Sequence, residues 1–348
     1  MQVKVCVIGH FGEGKNLLNG QTVKTQIITE QLQKQLEQEQ VLKIDSHGGW
    51  KTLIKAPLQV LKALTECRNV VILPAHNGLR VYAPMLAFCR KLFRGRKLHY
   101  VVIGGWLPDF LQKRRYLAKA LAQFDGIYAE TNTMKKALEE AGFTNIILLP
   151  NCKDLQVLRP EQLPPLEKPY KLCTFSRVMQ EKGMEDAIAA VRSVNEARGK
   201  TVYTLDFYGP VDTAQTQWFD ALQESFPNYV RYCGAVPASE SVEILKDYFA
   251  LLFPTRFYTE GIPGTIIDAY AAGVPVISAK WESFTDVVDH GKTGWGYEFG
   301  NVPAFTQLLE TFADDPEQIT GLKINCLEKA QDYLPEGAIR ILLDNMEG

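Results

Sequence analysis

The sequence lacks the features that mark membrane-spanning, disulfide-bonded and zinc-binding proteins. No apolar run approaches the roughly 18 residues that a bilayer-spanning helix needs. The apolar start of the chain, Val3–Ile8, predicts a short strand and not a signal peptide. The seven cysteines are odd in number, scattered and without a CxxC pair, and the histidines also lack metal-ligand spacing. These absences predict a cytoplasmic protein with reduced cysteines and no metal site.

The chain also has little net charge, but its charges are unevenly distributed. The first 162 residues hold 23 Lys and Arg against 13 Asp and Glu, whereas the remainder holds 15 against 27. A basic first part indicates an anionic partner on that side, such as a lipid surface, a phosphate or nucleic acid. The alternative interpretation is that charged residues on solvent-exposed faces are unevenly distributed by chance.

Two series of short apolar runs alternate with helical stretches, which predicts two α/β domains with parallel sheets. The first series begins with Val3–Ile8, and the second begins at Tyr170–Phe175 and ends with the strand Val274–Ser278. Four prolines in Leu158–Tyr170 separate them and predict a linker. We therefore predict a first domain over 1–163, a second over 164–333, and a last helix within 334–348 that packs back on the first domain.

The most informative segment follows the predicted strand Phe249–Phe253. A polar loop presents Glu260, and a helix then begins after Pro263, whose missing N–H is not needed in a first helical turn. Free N–H groups at such a helix start favour an anion or a hydroxyl-rich sugar. Asp268 lies inside that helix, eight positions after Glu260.

A second segment places cations at the end of another predicted strand. Arg177 and Lys182 flank a short loop after Phe175 and before a helix. Two cations at a strand exit suit a diphosphate, since Arg gives planar paired contacts and Lys a point charge.

These segments resemble family-4 retaining glycosyltransferases over roughly Tyr170–Phe299. The match rests on two motifs. In the first, Glu260 and Asp268 are separated by seven residues and followed by Ala-x-Ala-x-Gly-x-Pro-Val. In the second, Arg177 is followed by Glu-Lys-Gly at 181–183. The resemblance implies a GT-B fold, in which two Rossmann-like domains with parallel sheets face a central cleft. It also implies that Glu260, Arg177 and Lys182 are the catalytic residues, with Glu260 holding the donor sugar and the two cations its phosphates. The other implied donor-binding residues are Gly234, Val236, Ile262, Pro263, Gly264, Thr265 and Asp268.

The sequence departs from this family at three places. Asp268 stands where the family has Glu, and is about 1.5 Å shorter in reach. Ser176 replaces a glycine. The region 102–106 lacks a family histidine that contacts the sugar, so we expect backbone at Gly104 and Gly105 to take its place.

The first domain offers weaker signals. Gly20 and Gln21 are expected to begin a helix that faces the donor; a plain loop is the alternative, and no GxGxxG fingerprint is present. His76 and Asn77 follow a predicted strand, so His76, Asn77 and Gly105 are candidates for acceptor binding, while a structural role for His76 stays open. The basic stretches 90–97 and 113–119 favour anionic lipid headgroups, with a solvated helix surface as the alternative.

The sequence thus predicts a retaining, metal-independent glycosyltransferase without a cofactor. It would move a hexose-type sugar from a UDP- or GDP-linked donor to a glycan or lipid-linked acceptor in cell-surface polysaccharide synthesis. Its expected location is the cytoplasm, peripheral on the inner face of the plasma membrane, with no nucleic-acid partner. The alternatives are a nucleotide-sugar epimerase of the same fold and a catalytically silent partner subunit of another transferase; a nicotinamide dehydrogenase is more distant.

Overall fold

The computed structural model describes residues 4–12, 14, 20–48 and 54–347. It confirms the α/β fold class, since it contains two six-stranded parallel sheets with helices on their faces. The chain divides into two compact units, one of residues up to 154 together with those from 333, and one of residues 155–332. The sequence prediction had placed the boundary at 163/164.

The first unit contains a sheet in the order β2-β1-β3-β4-β5-β6. Its strands are β1 (Val5–Gly9), β2 (Val41–Asp45), β3 (Asn69–Ile72), β4 (Lys97–Val101), β5 (Gly126–Ala129) and β6 (Ile146–Leu148). Its helices are α1 (Gly20–Leu36), α2 (Ala56–Glu66), α3 (His76–Cys89), α4 (Leu107–Gln112), α5 (Arg115–Leu121) and α6 (Asn132–Glu140). Strands β1 and β3 are fully buried because helices cover both faces of the sheet.

The last helix of the chain, α15 (Pro335–Glu347), belongs to this first unit. Its buried residues Ala338, Ile339 and Leu342 pack in one apolar cluster with residues of β1 and α1. Lys97 of β4 also donates to the backbone oxygen of Met346, at 3.2 Å. Both contacts hold the helix against the sheet of the first unit.

The second unit contains a sheet in the order β12-β11-β10-β7-β8-β9. Its strands are β7 (Tyr170–Phe175), β8 (Tyr203–Tyr208), β9 (Val230–Gly234), β10 (Ala250–Phe253), β11 (Val276–Ala279) and β12 (Gly294–Tyr297). Its helices are α7 (Met184–Ala197), α8 (Thr216–Glu224), α9 (Ser241–Leu245), α10 (Gly264–Ala271), α11 (Phe284–Val287), α12 (Val302–Asp314), α13 (Glu317–Thr320) and α14 (Lys323–Ala330).

Three sequence predictions of elements need correction. The single helix expected over 316–333 is two helices, α13 and α14, interrupted at Gly321 and Leu322. The sequence pattern predicts no strand at 41–45 or at 294–297, and it places Gly294 at the end of a turn that begins at Asp289; the structure has strands β2 and β12 there. The predicted first strand begins at Val3, which lies outside the described residues.

Each sheet contains one point where the strand order reverses. In the first unit β1 lies between β2 and β3, and in the second β7 lies between β8 and β10. In open parallel sheets, ligands bind outside the carboxyl ends of the strands at this reversal. The loops after β1 and β3, and those after β7 and β10, are therefore the candidate sites that topology alone selects.

Candidate functional site

The loops after β7 and β10 bring Lys182 and Glu260 into contact. Nζ of Lys182 donates to Oε1 of Glu260, and the two side chains are 17% and 18% exposed. The hydroxyl of Thr255 donates to the same oxygen at 3.1 Å. Oε2 of Glu260 has no partner within the described part of the chain, so it remains available to a ligand.

Aromatic rings surround the ammonium group of Lys182. Its Nζ lies 5.5 Å from the ring centroid of Phe253 and 5.1 Å from that of Phe257. Ring faces attract a cation, and the rings also limit the water around it. The N–H donors of Lys182 that Glu260 does not use can therefore reach a second anion.

A close backbone approach fixes the position of this pair. Gly183, directly after Lys182, has a φ of 71°, and a Cβ built there would lie 1.9 Å from the carbonyl oxygen of Pro254. The N–H of Arg256 also donates to the carbonyl of Glu181 at 2.8 Å. Glycine at 183 lets the two loops touch, and that contact places residue 182 beside residue 260.

Arg177 lies in the same loop as Lys182 but its side chain has a different partner. Nη1 of Arg177 is 3.4 Å from Oδ2 of Asp212, and the Arg177 side chain is 49% exposed. Among the described residues, no hydrogen bond or ion pair joins Arg177 to Lys182 or Glu260. The structure therefore brings two of the three predicted catalytic residues together and leaves Arg177 in a weak, solvent-exposed ion pair nearby in sequence.

The predicted donor-binding helix starts as the sequence indicated. Pro263 precedes α10 and supplies no capping side chain, so the first N–H groups of the helix are not capped. The hydroxyl oxygen of Thr265 is buried and has no hydrogen-bond partner in the described residues. Buried hydroxyls rarely stay unpaired, which makes the Thr265 hydroxyl a candidate for a hydrogen bond to a ligand. Ile262 is 5% exposed, and Gly264 is the first residue of α10.

The remaining predicted donor-binding residues of this unit are Asp268 in α10, Gly234 at the end of β9 and Val236 after that strand. Asp268 is buried in α10 and is 4% exposed. Gly234 ends β9 with a φ of 80°, and Val236 lies two residues beyond it. The carboxyl end of β9 lies at the same edge of this parallel sheet as the loops after β7 and β10, so Gly234 and Val236 lie at that edge.

In the first unit, the predicted residues Gly20 and Gln21 are the first residues of α1. Nε2 of Gln21 donates to the carbonyl of Leu73 at 3.3 Å, so the start of α1 is tied to the end of β3. Gly20 is exposed. The helix start therefore lies at the reversal point of this sheet.

His76 and Asn77 begin α3 and are exposed, and Gly105 is buried in the loop after β4. The His76 ring stacks on Trp106, with centroids 3.9 Å apart. The guanidinium of Arg114 lies 3.8 Å from the ring centroid of Phe110, which contacts His76 edge-on. Burial, followed by the charge of Arg80 and that of Arg114, lowers the pKa of His76. A neutral imidazole on an aromatic and cationic surface suits a sugar or an anionic group.

Sequence reasoning did not identify a histidine pair at the ends of β1 and β2. Nδ1 of His47 lies 2.7 Å from Nε2 of His10, whose Nδ1 lies 2.7 Å from the hydroxyl of Thr22. Burial and the neighbouring His47 lower the pKa of His10. The two histidines stand 37 positions apart, so only the parallel pairing of β1 with β2 brings them together.

Part of the second unit is similar to known glycosyltransferases. Residues 169–315, all within the second unit, match the family described as glycosyl transferases group 1. The amylovoran biosynthesis glycosyltransferase AmsK of Erwinia amylovora is 26% identical over 149 residues, which cover 41% of this chain and 36% of AmsK. The putative colanic acid biosynthesis glycosyltransferase WcaL of Escherichia coli is 25% identical over 178 residues, or 50% of this chain and 43% of WcaL. The chain thus aligns with about two fifths of the length of these curated relatives.

The similarity to solved structures extends over the whole chain. Anabaena HepE, solved in complex with UDP, superposes with a TM-score of 0.78 at 16% identity and covers 99% of this chain and 100% of HepE. Sucrose-phosphate synthase from Thermosynechococcus elongatus gives a TM-score of 0.77 at 13% identity, covering 98% of each chain. At these identities the likeness shows the fold, and the fold is the two-domain α/β arrangement of GT-B proteins.

Proposed function

We propose that this chain is a glycosyltransferase that moves a hexose from a nucleoside diphosphate sugar to an acceptor hydroxyl with retention of configuration. The observation that carries the proposal is the contact between Lys182 and Glu260 at the reversal point of the second sheet. A paired cation and carboxylate there match the two parts of such a donor, its diphosphate and its sugar hydroxyls. The family match over 169–315 includes both residues.

Each side chain has a defined task in this proposal. Oε2 of Glu260 accepts hydrogen bonds from sugar hydroxyls, while Oε1 stays with Lys182 and Thr255. The remaining N–H donors of Lys182 meet the diphosphate and stabilise the charge that develops as it leaves. Arg177 exchanges its weak contact with Asp212 for the same diphosphate. Charge on the leaving group is then balanced by protein cations, and the proposal assigns no step to a metal.

The helix start at Gly264 and Thr265 completes the donor site. Its free N–H groups and the buried hydroxyl of Thr265 are donors without acceptors in the described residues. We propose that they bind the sugar and phosphate oxygens, and that Gly234 and Val236 line the base and Asp268 the ribose. HepE has been solved with UDP-glucose and with UDP and glucose, so a UDP-sugar is the first donor to test and a GDP-sugar the second.

The acceptor is proposed to be a glycan or a lipid-linked sugar bound by the first unit. The stacked His76 and Trp106 provide an aromatic surface of the kind that sugars bind. Asn77 follows His76 in the first turn of α3, and Gly105 precedes Trp106 in the loop after β4. AmsK and WcaL are named for amylovoran and colanic acid biosynthesis, so we infer polysaccharide assembly in the cytoplasm. A lipid-linked acceptor would bring the enzyme to the inner face of the membrane.

Release of nucleoside diphosphate tests the proposal. UDP-glucose, UDP-galactose and GDP-mannose are each incubated with the protein, with and without a glycolipid extract from capsule-forming bacteria. Acceptor-dependent release from one donor is the expected result, and nuclear magnetic resonance of the new anomeric proton reports retention or inversion. Conversion of the sugar without acceptor would identify an epimerase. No melting-temperature increase with any donor, and no release, would overturn the proposal, since a ligand specific to the folded state raises its stability.

A further inference from the structure

Large apolar side chains are exposed mainly on one part of the first unit. Of the nine such residues in the described chain, six fall between 54 and 116. They are Ile54, Leu58, Leu61, Phe88, Leu92 and Tyr116. A surface that needed only to be soluble would not concentrate them in this way.

Helix α2 is apolar on both its inner and its outer side. Val60 and Leu64 are fully buried against the sheet. Ile54, just before the helix, and Leu58 and Leu61 within it follow the helical spacing of four and three residues, and are 67%, 72% and 49% exposed. Residues at this spacing share one face, so the outer stripe is a second apolar face without a partner in the described chain.

The neighbouring helices continue this surface. Helix α2 packs beside α3, and α3 beside α5, all on the same side of the first sheet. Phe88 near the end of α3 and Leu92 one turn later are 70% and 78% exposed, and Tyr116 of α5 is 54% exposed. We define the basic apolar face as the outer surface of three segments: Ile54 and Lys55 with α2, α3 with the turn that follows it to Arg94, and α5 with Lys113.

Positive charge surrounds these apolar side chains. Residues 51–119 contain 14 Lys and Arg but only two acids, Glu66 and Asp109. Exposed members on the basic apolar face form no ion pair in the described structure; they are Lys55, Lys62, Lys91, Arg94, Lys113, Arg115 and Lys119. By contrast, the less exposed Arg90 pairs with Asp125 at 2.8 Å. The unpaired cations leave a strong positive field over the apolar residues.

We propose that the basic apolar face docks on an anionic lipid bilayer. Leu58, Leu61, Phe88 and Leu92 enter the headgroup boundary, and the lysines and arginines around them bind lipid phosphates. A second copy would place one strongly positive face against another. Nucleic acid would satisfy the cations but offer nothing to the aliphatic side chains. An anionic bilayer satisfies both kinds of group at once.

This inference specifies the membrane partner of the proposed function, yet its test needs no sugar donor. Sedimentation with vesicles of phosphatidylcholine, and of phosphatidylcholine with phosphatidylglycerol, measures lipid binding alone. Failure to bind vesicles would therefore leave the glycosyltransferase proposal untouched, and failure of sugar transfer would leave lipid binding untouched.

Two sets of variants locate the binding surface. The apolar set combines L58S, L61S, F88S and L92S, and the charge set combines K62Q, K91Q and R94Q. Matched controls in the second unit are I324S, whose side chain is 44% exposed, and K200Q with K292Q, both at exposed positions. All these positions are on the surface, so unchanged melting temperatures serve as the check on folding.

We expect wild type and controls to sediment with the anionic vesicles and not with the neutral ones, and each set to reduce binding by roughly tenfold or more. Added salt should weaken the wild-type binding. Equal binding to both vesicles, no binding to either, or anionic binding unaffected by both sets would overturn the proposal. Dimers on size exclusion that are lost in the apolar set would assign the face to a second copy instead.

Discussion

The ammonium group of Lys182 contacts the carboxylate of Glu260, 78 positions later in the chain. The two groups come from the loops after β7 and β10, which are adjacent in the second sheet although β8 and β9 intervene in sequence. The backbone contact of Gly183 with Pro254 sets their separation before any ligand arrives. The two side chains are thus preorganised, with one carboxylate oxygen and the remaining ammonium protons available for the sugar and the diphosphate that we propose as ligands.

The unpaired hydroxyl of Thr265 predicts opposite effects on stability and binding. T265V removes a buried oxygen that has no partner in the described residues, so the free protein should be as stable as wild type or slightly more stable. Donor affinity should fall by roughly threefold to tenfold, which corresponds to one hydrogen bond. Calorimetric titration with UDP-glucose and urea unfolding measure the two quantities. The control is T306V, whose hydroxyl donates to the carbonyl of Val302 within α12; unchanged donor affinity in T265V would remove Thr265 from the site.

Gly183 should be far more sensitive to substitution than another glycine of similar backbone conformation. Gly183 and Gly199 have φ values of 71° and 61°, but a Cβ at 183 would overlap the oxygen of Pro254, whereas nothing lies within 4 Å of one at 199. G199A should therefore cost only about 1 kcal/mol of strain, while G183A should cost more and weaken nucleotide binding. Urea unfolding and UDP titration compare them. Equal losses in the two variants would show that the contact with Pro254 does not constrain the loop.

The buried ion pair between Lys24 and Glu130 should be a major determinant of the first unit's stability. Nζ of Lys24 lies 2.5 Å from Oε1 of Glu130 and 3.0 Å from the carbonyl of Val102, and the side chains are 2% and 3% exposed. Removing one partner leaves a buried charge, so K24M should lower the free energy of unfolding by about 3–5 kcal/mol. The exposed pair of Lys34 and Asp154 is the control, and K34M should cost less than about 1 kcal/mol. The double variant K24M/E130Q should recover much of the loss; additive losses would contradict the pairing.

His99 should make the unfolding free energy depend on pH. Its ring is fully buried between the Tyr128 hydroxyl and the Asn69 side-chain oxygen, and burial lowers its pKa from 6.5 to about 4. As pH falls, the unfolded chain binds a proton at His99 before the folded chain does. The free energy of unfolding is therefore unaffected by His99 above pH 6.5 and decreases as the pH falls from 6.5 toward 4. Between pH 7 and pH 5 the loss from this group should be about 2 kcal/mol. Urea titrations of wild type and H99Q at both pH values measure this decrease in the free energy of unfolding. An equal decrease in the two proteins would show that His99 is not its source.

The sequence was sufficient for the fold class because buried parallel strands are continuous apolar runs. It was insufficient for edge strands. Strand β2 carries the exposed Lys43 and the half-buried Asp45, so it has no continuous apolar run. Strand β12 begins at Gly294, the last residue of the turn that the sequence indicates; in the structure a Cβ at 294 would lie 2.2 Å from the carbonyl oxygen of Val276. The need for glycine there comes from the neighbouring strand, which local sequence does not reveal.

At the candidate site, too, the sequence predicts some contacts and not others. Lys182 and Glu260 were paired through their resemblance to a family motif, and the structure places them in contact. The partner of Arg177 was not predicted, because Asp212 lies beyond the next strand and no local pattern connects them. The stacking of His76 on Trp106 depends on the adjacency of β3 and β4. Such contacts are set by strand order, which periodicity does not specify.

The rate of nucleoside diphosphate release by K182M and E260Q tests the central claim most directly. Both changes keep the size of the side chain and remove its charge, and R198A is the control because Arg198 pairs with Asp314 at the far end of α7. We predict rates at least about 100-fold below wild type for K182M and E260Q, a wild-type rate for R198A, and folded proteins in all cases. Wild-type rates in both K182M and E260Q would contradict the account.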